Sequence, residues 1–81
     1  MVKDPFSSAA QSLVVGGIYE HYKGNRYKII VLARHSETLE EVVVYQALHD
    51  TYDIWVRPVA MFCESIIYKG VTKKRFSLLK I

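Results

Sequence analysis

The sequence has little of what defines several common protein classes. Cys63 is the one cysteine in 81 residues, which excludes an internal disulfide framework and a zinc site built from cysteine ligands. No apolar run approaches the ~20 residues that a membrane-spanning helix needs. Residues 1–8 have no apolar run behind their single lysine, so we expect no secretory signal there. We therefore expect a cytoplasmic protein with no membrane association and no cofactor.

The composition is that of one small globular domain. Apolar residues make up 51% of the chain and charged residues 23%, which is an ordinary globular balance. The formal net charge of +3 is unevenly spread. Residues 37–64 contain six acidic side chains and one basic one, whereas residues 65–81 contain five basic side chains and no acidic one. A net charge this small supports solubility and does not by itself indicate a nucleic-acid partner.

Residues 1–16 form an N-terminal extension that differs from the rest of the chain. Apolar residues recur at helical spacing between Phe6 and Leu13, and Asp4-Pro5 is typical of a helix start. So short a helix is marginal in water unless it packs on a larger body. The extension is therefore either a loose tail or a short docked helix, and Gly16-Gly17 ends it.

Residues 17–81 predict a mainly β domain. Runs rich in Tyr, Val and Ile, separated by turn residues, predict five to six short antiparallel strands. The predicted strands cover residues 18–23, 26–33, 41–47, 54–57, 64–69 and, as a possible sixth, 73–79. The brief apolar segment 59–63 suits one helical or 3₁₀ turn, and a 3₁₀ turn at this place is typical of SH3-like barrels. Because closure protects the edges of so small a sheet, we predict an SH3-like barrel.

Residue alternation along these strands predicts the core. A two-residue turn at Gly24-Asn25 would place Tyr22 opposite Tyr27 and Ile18 opposite Val31. The predicted core is almost entirely aliphatic and comprises Ile18, Ile29, Val31, Val42, Val44, Ile54, Val56, Met61, Phe62 and Ile66.

Several separate blocks resemble, in the right order, one bacterial family. They read GIYEHYKGNRYK from residue 17, ARHSET from residue 33, VYQAL from residue 44 and WVRP from residue 55. Together they are similar to the family called domain of unknown function 1653, over about residues 17–68. The resemblance implies an SH3-like β-barrel. It implies no activity, because the family is named for the lack of one, and its members usually lack the first sixteen residues found here.

A cluster of aromatic and basic residues is the candidate ligand surface. Trp55 and Arg57 share one face of a short strand, and aromatic side chains beside arginine are enriched at binding surfaces. Arg34 and His35 supply donors for an anion in the most polar loop. The competing interpretation is that Trp55 packs the barrel and Arg34 pairs with nearby acids. We predict a non-catalytic module for a peptide or a small anionic ligand, using Tyr19, His21, Arg34, His35, Tyr45, Trp55 and Arg57.

A single-stranded nucleic-acid binder is the first alternative. Tyr22 and Tyr27 would stack on bases, and the basic C-terminal segment would follow the backbone. That segment contains Lys69, Lys73, Lys74 and Arg75, followed by Phe76. The acidic middle of the chain disfavours this alternative, because it interrupts any continuous basic groove.

A small hydrolase or transferase is the second alternative. It would use His21, His35 and a carboxylate such as Glu37, and it requires two of these groups within hydrogen-bond reach. The histidines do not have the spacing of metal ligands on one element, so we predict no metal site and no catalytic residue.

Overall fold

A computed structural model describes residues 5–81. The domain is mainly β, which confirms the predicted class. In chain order the elements are α1 (Ser8–Gln11), β1 (Ile18–His21), β2 (Arg26–Arg34), β3 (Glu41–Ala47), β4 (Ile54–Pro58), α2 (Val59–Phe62), β5 (Ser65–Tyr68), β6 (Val71–Lys74) and β7 (Phe76–Lys80).

The strands form an open sheet, so the prediction of a closed SH3-like barrel is wrong. Five antiparallel strands lie in the order β4-β3-β2-β1-β7, and β5 and β6 form a separate hairpin. The predicted sixth strand is in fact β6 and β7, because the chain bends at Arg75. There the Arg75 N–H donates to the carbonyl of Glu64, and its carbonyl accepts from the Tyr22 N–H, both at 2.9 Å.

The turn after β4 is α-helical. This is one of the two forms predicted for the segment, and not the 3₁₀ turn of the SH3-like barrel prediction. The N–H of Cys63 donates to the carbonyl of Val59 at 2.9 Å, which is the spacing of an α-helix. Val59 and Phe62 are buried from this turn. One side of α2 therefore packs against the core.

The register between β1 and β2 also differs from the prediction. Tyr19 pairs with Tyr27, and Glu20 pairs with Arg26. The His21 N–H donates to the carbonyl of Asn25 at 2.8 Å, which closes a longer loop over residues 22–25. The predicted two-residue turn is therefore wrong, and the inward position on β1 belongs to Tyr19 rather than Ile18.

A β-bulge at Ile30 changes which side chains of β2 face inward. Ile29 pairs with Tyr45, and the next regular pair joins Val31 to Val44. The extra residue reverses the alternation. As a result Ile29 is 1% exposed and Val31 is 45% exposed, although strict alternation predicts that both are buried.

The core is largely aromatic, whereas the sequence predicted an aliphatic one. Of the predicted core residues Ile29, Val42 and Phe62 are buried, Ile18, Val44 and Ile66 are half-buried, and Val31, Ile54, Val56 and Met61 are exposed. The buried cluster comprises Ala10, Tyr19, Ile29, Val43, Tyr45, Val59, Phe62 and Phe76. We call the face of the large sheet that bears Tyr19 and Tyr45 the inner face, and the opposite one the outer face.

Helix α1 is docked on the body of the domain. Ser7 caps it, since its Oγ accepts from the Ala10 N–H at 3.2 Å. The N–H and Oγ of Ser7 also donate to the Glu41 carboxylate at 2.5 and 2.6 Å, and Ala10 is completely buried. The expected helix start at Asp4 lies outside the described residues, and Ser7 is the cap that the structure has.

Candidate binding site

A cavity of about 270 Å³ lies on the inner face, where β2, β3 and β4 meet the loop after β3. The register between β3 and β4 brings two of its lining residues together, because Tyr45 of β3 lies directly opposite Trp55 of β4. The antiparallel pleat puts residues at alternate positions on the same face, so Arg57 joins Trp55. The lining residues are Tyr27, Tyr45, His49, Trp55 and Arg57.

Arg57 supplies a positive charge at this cavity. Its Nε donates to the Tyr45 hydroxyl at 3.2 Å, and its guanidinium carbon lies 5.7 Å from the centroid of the Phe76 ring. Within residues 5–81, no carboxylate lies within ion-pair distance of Arg57. The guanidinium is therefore held in position while its remaining N–H donors stay available to an anion.

The remaining walls are aromatic and brace one another. The Tyr27 ring makes edge-to-face contacts with Tyr45 at 5.4 Å, with His49 at 5.5 Å and with Phe76 at 5.6 Å. The Nδ1 atom of His49 is buried and has no hydrogen-bond partner in the described part of the chain. The cavity therefore combines flat apolar walls with a guanidinium and an unsatisfied imidazole nitrogen.

His21 lies beside the cavity, partly buried and near three cationic side chains. Its ring lies 6.4 Å from Tyr27 and 5.0 Å from Phe76. Partial burial lowers the pKa of His21 below its ordinary value of 6.5, and the charges of Arg57, Arg75 and Lys23 lower it further. The same field that disfavours an imidazolium favours an anion.

The structure brings part of the predicted site together. Tyr45, Trp55 and Arg57 line the cavity, and His21 lies beside it. Tyr19 belongs instead to the core, where its ring packs 5.5 Å from Phe62 and its hydroxyl accepts from the Val14 N–H at 3.0 Å.

Arg34 and His35 lie at the other end of β2. At about 3.3 Å per residue, the strand separates them from the hairpin beside His21 by about 25 Å. Arg34 donates to the carbonyls of Leu39 and Pro5, both at 3.3 Å. The structure therefore does not bring His35 and His21 together, which is one of the pairs that would satisfy the enzyme alternative.

The loop itself holds His35 and Glu37. Nδ1 of His35 accepts from the Glu37 and Thr38 N–H groups at 3.2 and 3.3 Å. These bonds stabilise a turn and leave the Glu37 carboxylate outside them. The loop residues therefore have a structural role in forming the turn.

The sequence-based choice of ligand residues missed Tyr27 and His49. Tyr27 was assigned to the nucleic-acid alternative as an aromatic residue that would stack on bases. For His49 a signal was present, since Tyr45, Ala47 and His49 recur at the spacing of one strand face. Continuing the alternation of β3 into the following loop would have identified it.

A second cavity, also of about 270 Å³, is lined by Leu13, Tyr19, Phe62, Cys63 and Phe76 among others. Cys63 is exposed on one side, yet burial of the other side raises the pKa of its thiol, which Lys74 partly opposes. A thiol of this kind is a poor nucleophile at neutral pH.

Basic and aromatic residues also gather where the β1–β2 loop meets the β5–β6 hairpin. The Tyr22 and Tyr68 rings lie 5.1 Å apart. The ammonium groups of Lys69 and Lys73 lie 5.4 and 6.0 Å from the Tyr68 ring, and that of Lys23 lies 5.8 Å from the Tyr22 ring. We call these residues the hairpin basic cluster.

Two further features of the described residues concern metals and membranes. Over residues 5–81, no three His, Cys, Asp or Glu side chains gather to hold a metal ion. None of the helices in that range has the length and apolar character needed to cross a membrane.

Comparison with protein-family models matches residues 17–78 to the family described as "Protein of unknown function (DUF1653)". The chain belongs to the DUF1653 family. A crystal structure of a DUF1653 protein from Bordetella bronchiseptica is similar, with a TM-score of 0.78 and 32% sequence identity. The alignment covers 86% of this chain and 91% of that one. No curated protein matches the chain. The resemblance noted in the sequence is thereby confirmed, and the DUF1653 description assigns no function.

The DUF1653 match includes every residue that lines the candidate cavity and begins after helix α1. The cavity is therefore built from the matched residues, whereas α1 lies outside them and packs on the core elsewhere.

Proposed function

We propose that the chain is a non-catalytic binding module whose inner-face cavity takes a ligand with a flat or apolar group and an anionic group. A small aromatic carboxylate and the acidic end of a peptide both have this chemistry. The observation that carries the proposal is Arg57, which is positioned by Tyr45 and Phe76 and lacks a carboxylate partner in residues 5–81.

Two properties of the cavity support the same ligand chemistry. The rings of Tyr27, Tyr45 and Trp55 offer flat surfaces, and such residues contribute much of the free energy at small binding sites. The buried Nδ1 of His49 lacks a partner in residues 5–81, and a buried polar atom gains free energy when a ligand supplies one. The cytoplasm is the compartment we expect, which fractionation of cells expressing the chain would test.

An NMR titration with three small probes tests the proposal. Benzoate carries both a ring and a carboxylate, acetate carries only the carboxylate, and benzyl alcohol carries a ring without charge. We expect benzoate to shift the Trp55 indole and Arg57 Nε–H signals saturably and at lower concentration than either other probe. Absence of saturable shifts with benzoate and with a short acidic peptide would overturn the proposal.

A matched pair of arginine variants assigns the charge. Arg57→Gln removes the guanidinium from the cavity. Arg26→Gln removes a guanidinium at the start of β2, where the Nε atom of Arg26 lies 3.9 Å from the Glu20 carboxylate. We expect Arg57→Gln to weaken benzoate binding by about tenfold or more and Arg26→Gln to leave it unchanged. Equal weakening by both variants would indicate a general effect of net charge and contradict the assignment.

The hairpin basic cluster makes a nucleic-acid ligand the second candidate. Tyr22 and Tyr68 offer adjacent rings, and lysines surround them, which is the combination that single-stranded nucleic acids bind. Binding of a short oligonucleotide should then weaken steeply with salt and be reduced by Lys73→Gln but not by Lys28→Gln, on β2. No binding at low salt would exclude this candidate.

A further inference from the structure

Strand β4 is an edge of the large sheet and has few of the features that usually block edge pairing. Ile54, Trp55 and Val56 are 59%, 53% and 62% exposed. The strand contains no lysine and pairs with β3 in a continuous register. Pro58 ends the strand and lacks an N–H, so it limits the length available for pairing.

The free backbone groups of this edge belong to Ile54 and Val56. The Asp53 carbonyl accepts from the Ala47 N–H at 2.9 Å, so Asp53 belongs to a hydrogen-bonded pair with β3. Hydrogen-bonded and non-bonded positions alternate along an antiparallel ladder. Trp55 and Arg57 therefore bond to β3, while Ile54 and Val56 direct their N–H and C=O groups toward the open edge.

The sequence of this edge is complementary to itself. Residues 53–57 read Asp-Ile-Trp-Val-Arg, with an acid and a base at equal distances from the central tryptophan. In an antiparallel pair centred on Trp55, Asp53 lies opposite the partner's Arg57. In the same register Ile54 lies opposite the partner's Val56, so the free backbone groups of one copy meet those of the other.

The alternative centre fits less well. An antiparallel pair centred on Val56 would place Ile54 opposite the partner's Pro58, which has no N–H to donate. It would also place Arg57 opposite the partner's Trp55, leaving the Asp53 carboxylate without its cation. Charge and hydrogen bonding therefore both favour the pair centred on Trp55 over the pair centred on Val56.

We propose that two copies of this chain associate through antiparallel pairing of their β4 strands, which joins the two large sheets into one. Trp55 then lies opposite the partner's Trp55 at a non-hydrogen-bonded position, where side chains approach most closely and aromatic pairs are favourable. On the outer face the pairing brings the exposed Val56 of each copy toward the other, beside the half-buried Val44 and the exposed Val31. The two candidate cavities come to lie beside each other, because each is lined by the Trp55 of its own copy and the two Trp55 residues face each other.

A charge-exchange experiment tests the register. Asp53→Arg places two arginines opposite each other, and Arg57→Asp places two aspartates opposite each other. Each variant alone should weaken self-association by about tenfold or more, measured by sedimentation velocity over a range of concentrations. In an equimolar mixture the heterodimer has opposite charges at both positions, so association should return to the wild-type level.

The outcomes are distinct from those of the ligand experiment. Asp53→Arg changes no residue that lines the cavity of its own copy. Benzoate binding is measured at protein concentrations where the chain is monomeric, so binding of benzoate and association can fail independently. A wild-type protein that stays monomeric at millimolar concentration overturns the proposal. So does a dimer that neither charge variant weakens, because its interface must then lie elsewhere.

Amide hydrogen exchange gives a second measurement that needs no variant. In a monomer the Ile54 and Val56 amides face solvent, whereas those of Trp55 and Arg57 bond to β3. We expect protection of the Ile54 and Val56 amides to rise with protein concentration while that of the other two stays constant. Protection of the first two that does not depend on concentration would contradict the pairing.

Discussion

The rings of Phe62 and Phe76 stack face to face, with their centroids 4.1 Å apart and their planes 4° from parallel. Phe62 comes from α2 and Phe76 from β7, so this contact joins the helical turn to an edge strand of the sheet. Phe76 also contacts Tyr27 and Tyr45 at 5.6 Å, and both of these residues line the candidate cavity. The stacked pair therefore supports the walls of both cavities.

Truncation of Phe76 should destabilise the domain strongly. Phe76 is 5% exposed and its ring contacts several others, so Phe76→Ala should lower the free energy of unfolding by about 3–5 kcal/mol. Leu79→Ala, at a β7 residue that is 45% exposed, is the matched control and should cost less than about 1 kcal/mol. Urea denaturation measures both, and similar losses for the two variants would contradict this account of the core.

Two neighbouring alanines in helix α1 should respond very differently to a charge. Ala10 is completely buried against the core, while Ala9 is exposed. Ala10→Glu buries an unpaired carboxylate and should cost about 3 kcal/mol, whereas Ala9→Glu should change stability by less than about 0.5 kcal/mol. Thermal denaturation compares them. Equal effects would indicate that α1 does not pack as described.

His21 should titrate below the ordinary histidine range. Because burial and nearby cations lower its pKa in the folded protein, the unfolded chain binds this proton more readily. The contribution of His21 to stability is therefore complete above about pH 6.5 and decreases as the pH falls through that value toward the lowered pKa. NMR titration of the imidazole signals of the folded protein measures the pKa of His21 directly.

Removal of Arg57 should raise the pKa of His21 back toward its ordinary value. After burial, Arg57 lowers this pKa more than either of the other two cations does. Arg26→Gln serves as the control, and its effect should be small. If the two variants shift the His21 titration equally, the field beside the cavity does not originate in Arg57.

The contact between Glu41 and Ser7 should make stability fall in acid. Hydrogen bonds from the Ser7 side chain and backbone lower the pKa of Glu41 below its ordinary value of 4.5. The stabilisation is complete above about pH 4.5 and is lost as the pH falls through the lowered pKa of the folded state. Glu41→Gln should flatten this part of a plot of melting temperature against pH, and Glu37→Gln, in the neighbouring loop, should not.

The strands could be predicted from the sequence, whereas their inward faces could not. The bounds of β3 agree at both ends, because its β-branched residues are flanked by polar loops. The residues that face inward depend on how the strands pair. The hydrogen bond from His21 to Asn25 sets the pairing of β1 with β2, and the bulge at Ile30 sets the pairing of β2 with β3. Neither feature has a signature in local composition, so alternation placed Ile18 and Val31 in the core.

The same limit explains the division of the candidate site. Tyr45, Trp55 and Arg57 lie on two strands that follow each other in the sequence and pair, so these residues do meet. Arg34 and His35 were grouped with them by chemistry alone, and the length of β2 separates them from the cavity. A cluster predicted from residue types holds only where strand pairing brings the residues together.

The pairing of β1 with β7 has a consequence for biosynthesis. Tyr19 leaves the ribosome well before Phe76, yet the two belong to one buried cluster. Strands β2, β3 and β4 are neighbours in sequence and can pair as a meander before the distant β1–β7 pair forms, but the aromatic interior stays open to water until β7 docks. The nascent chain therefore passes through an interval in which its tyrosines and Phe62 are accessible to chaperones, and only the arrival of Phe76 ends it.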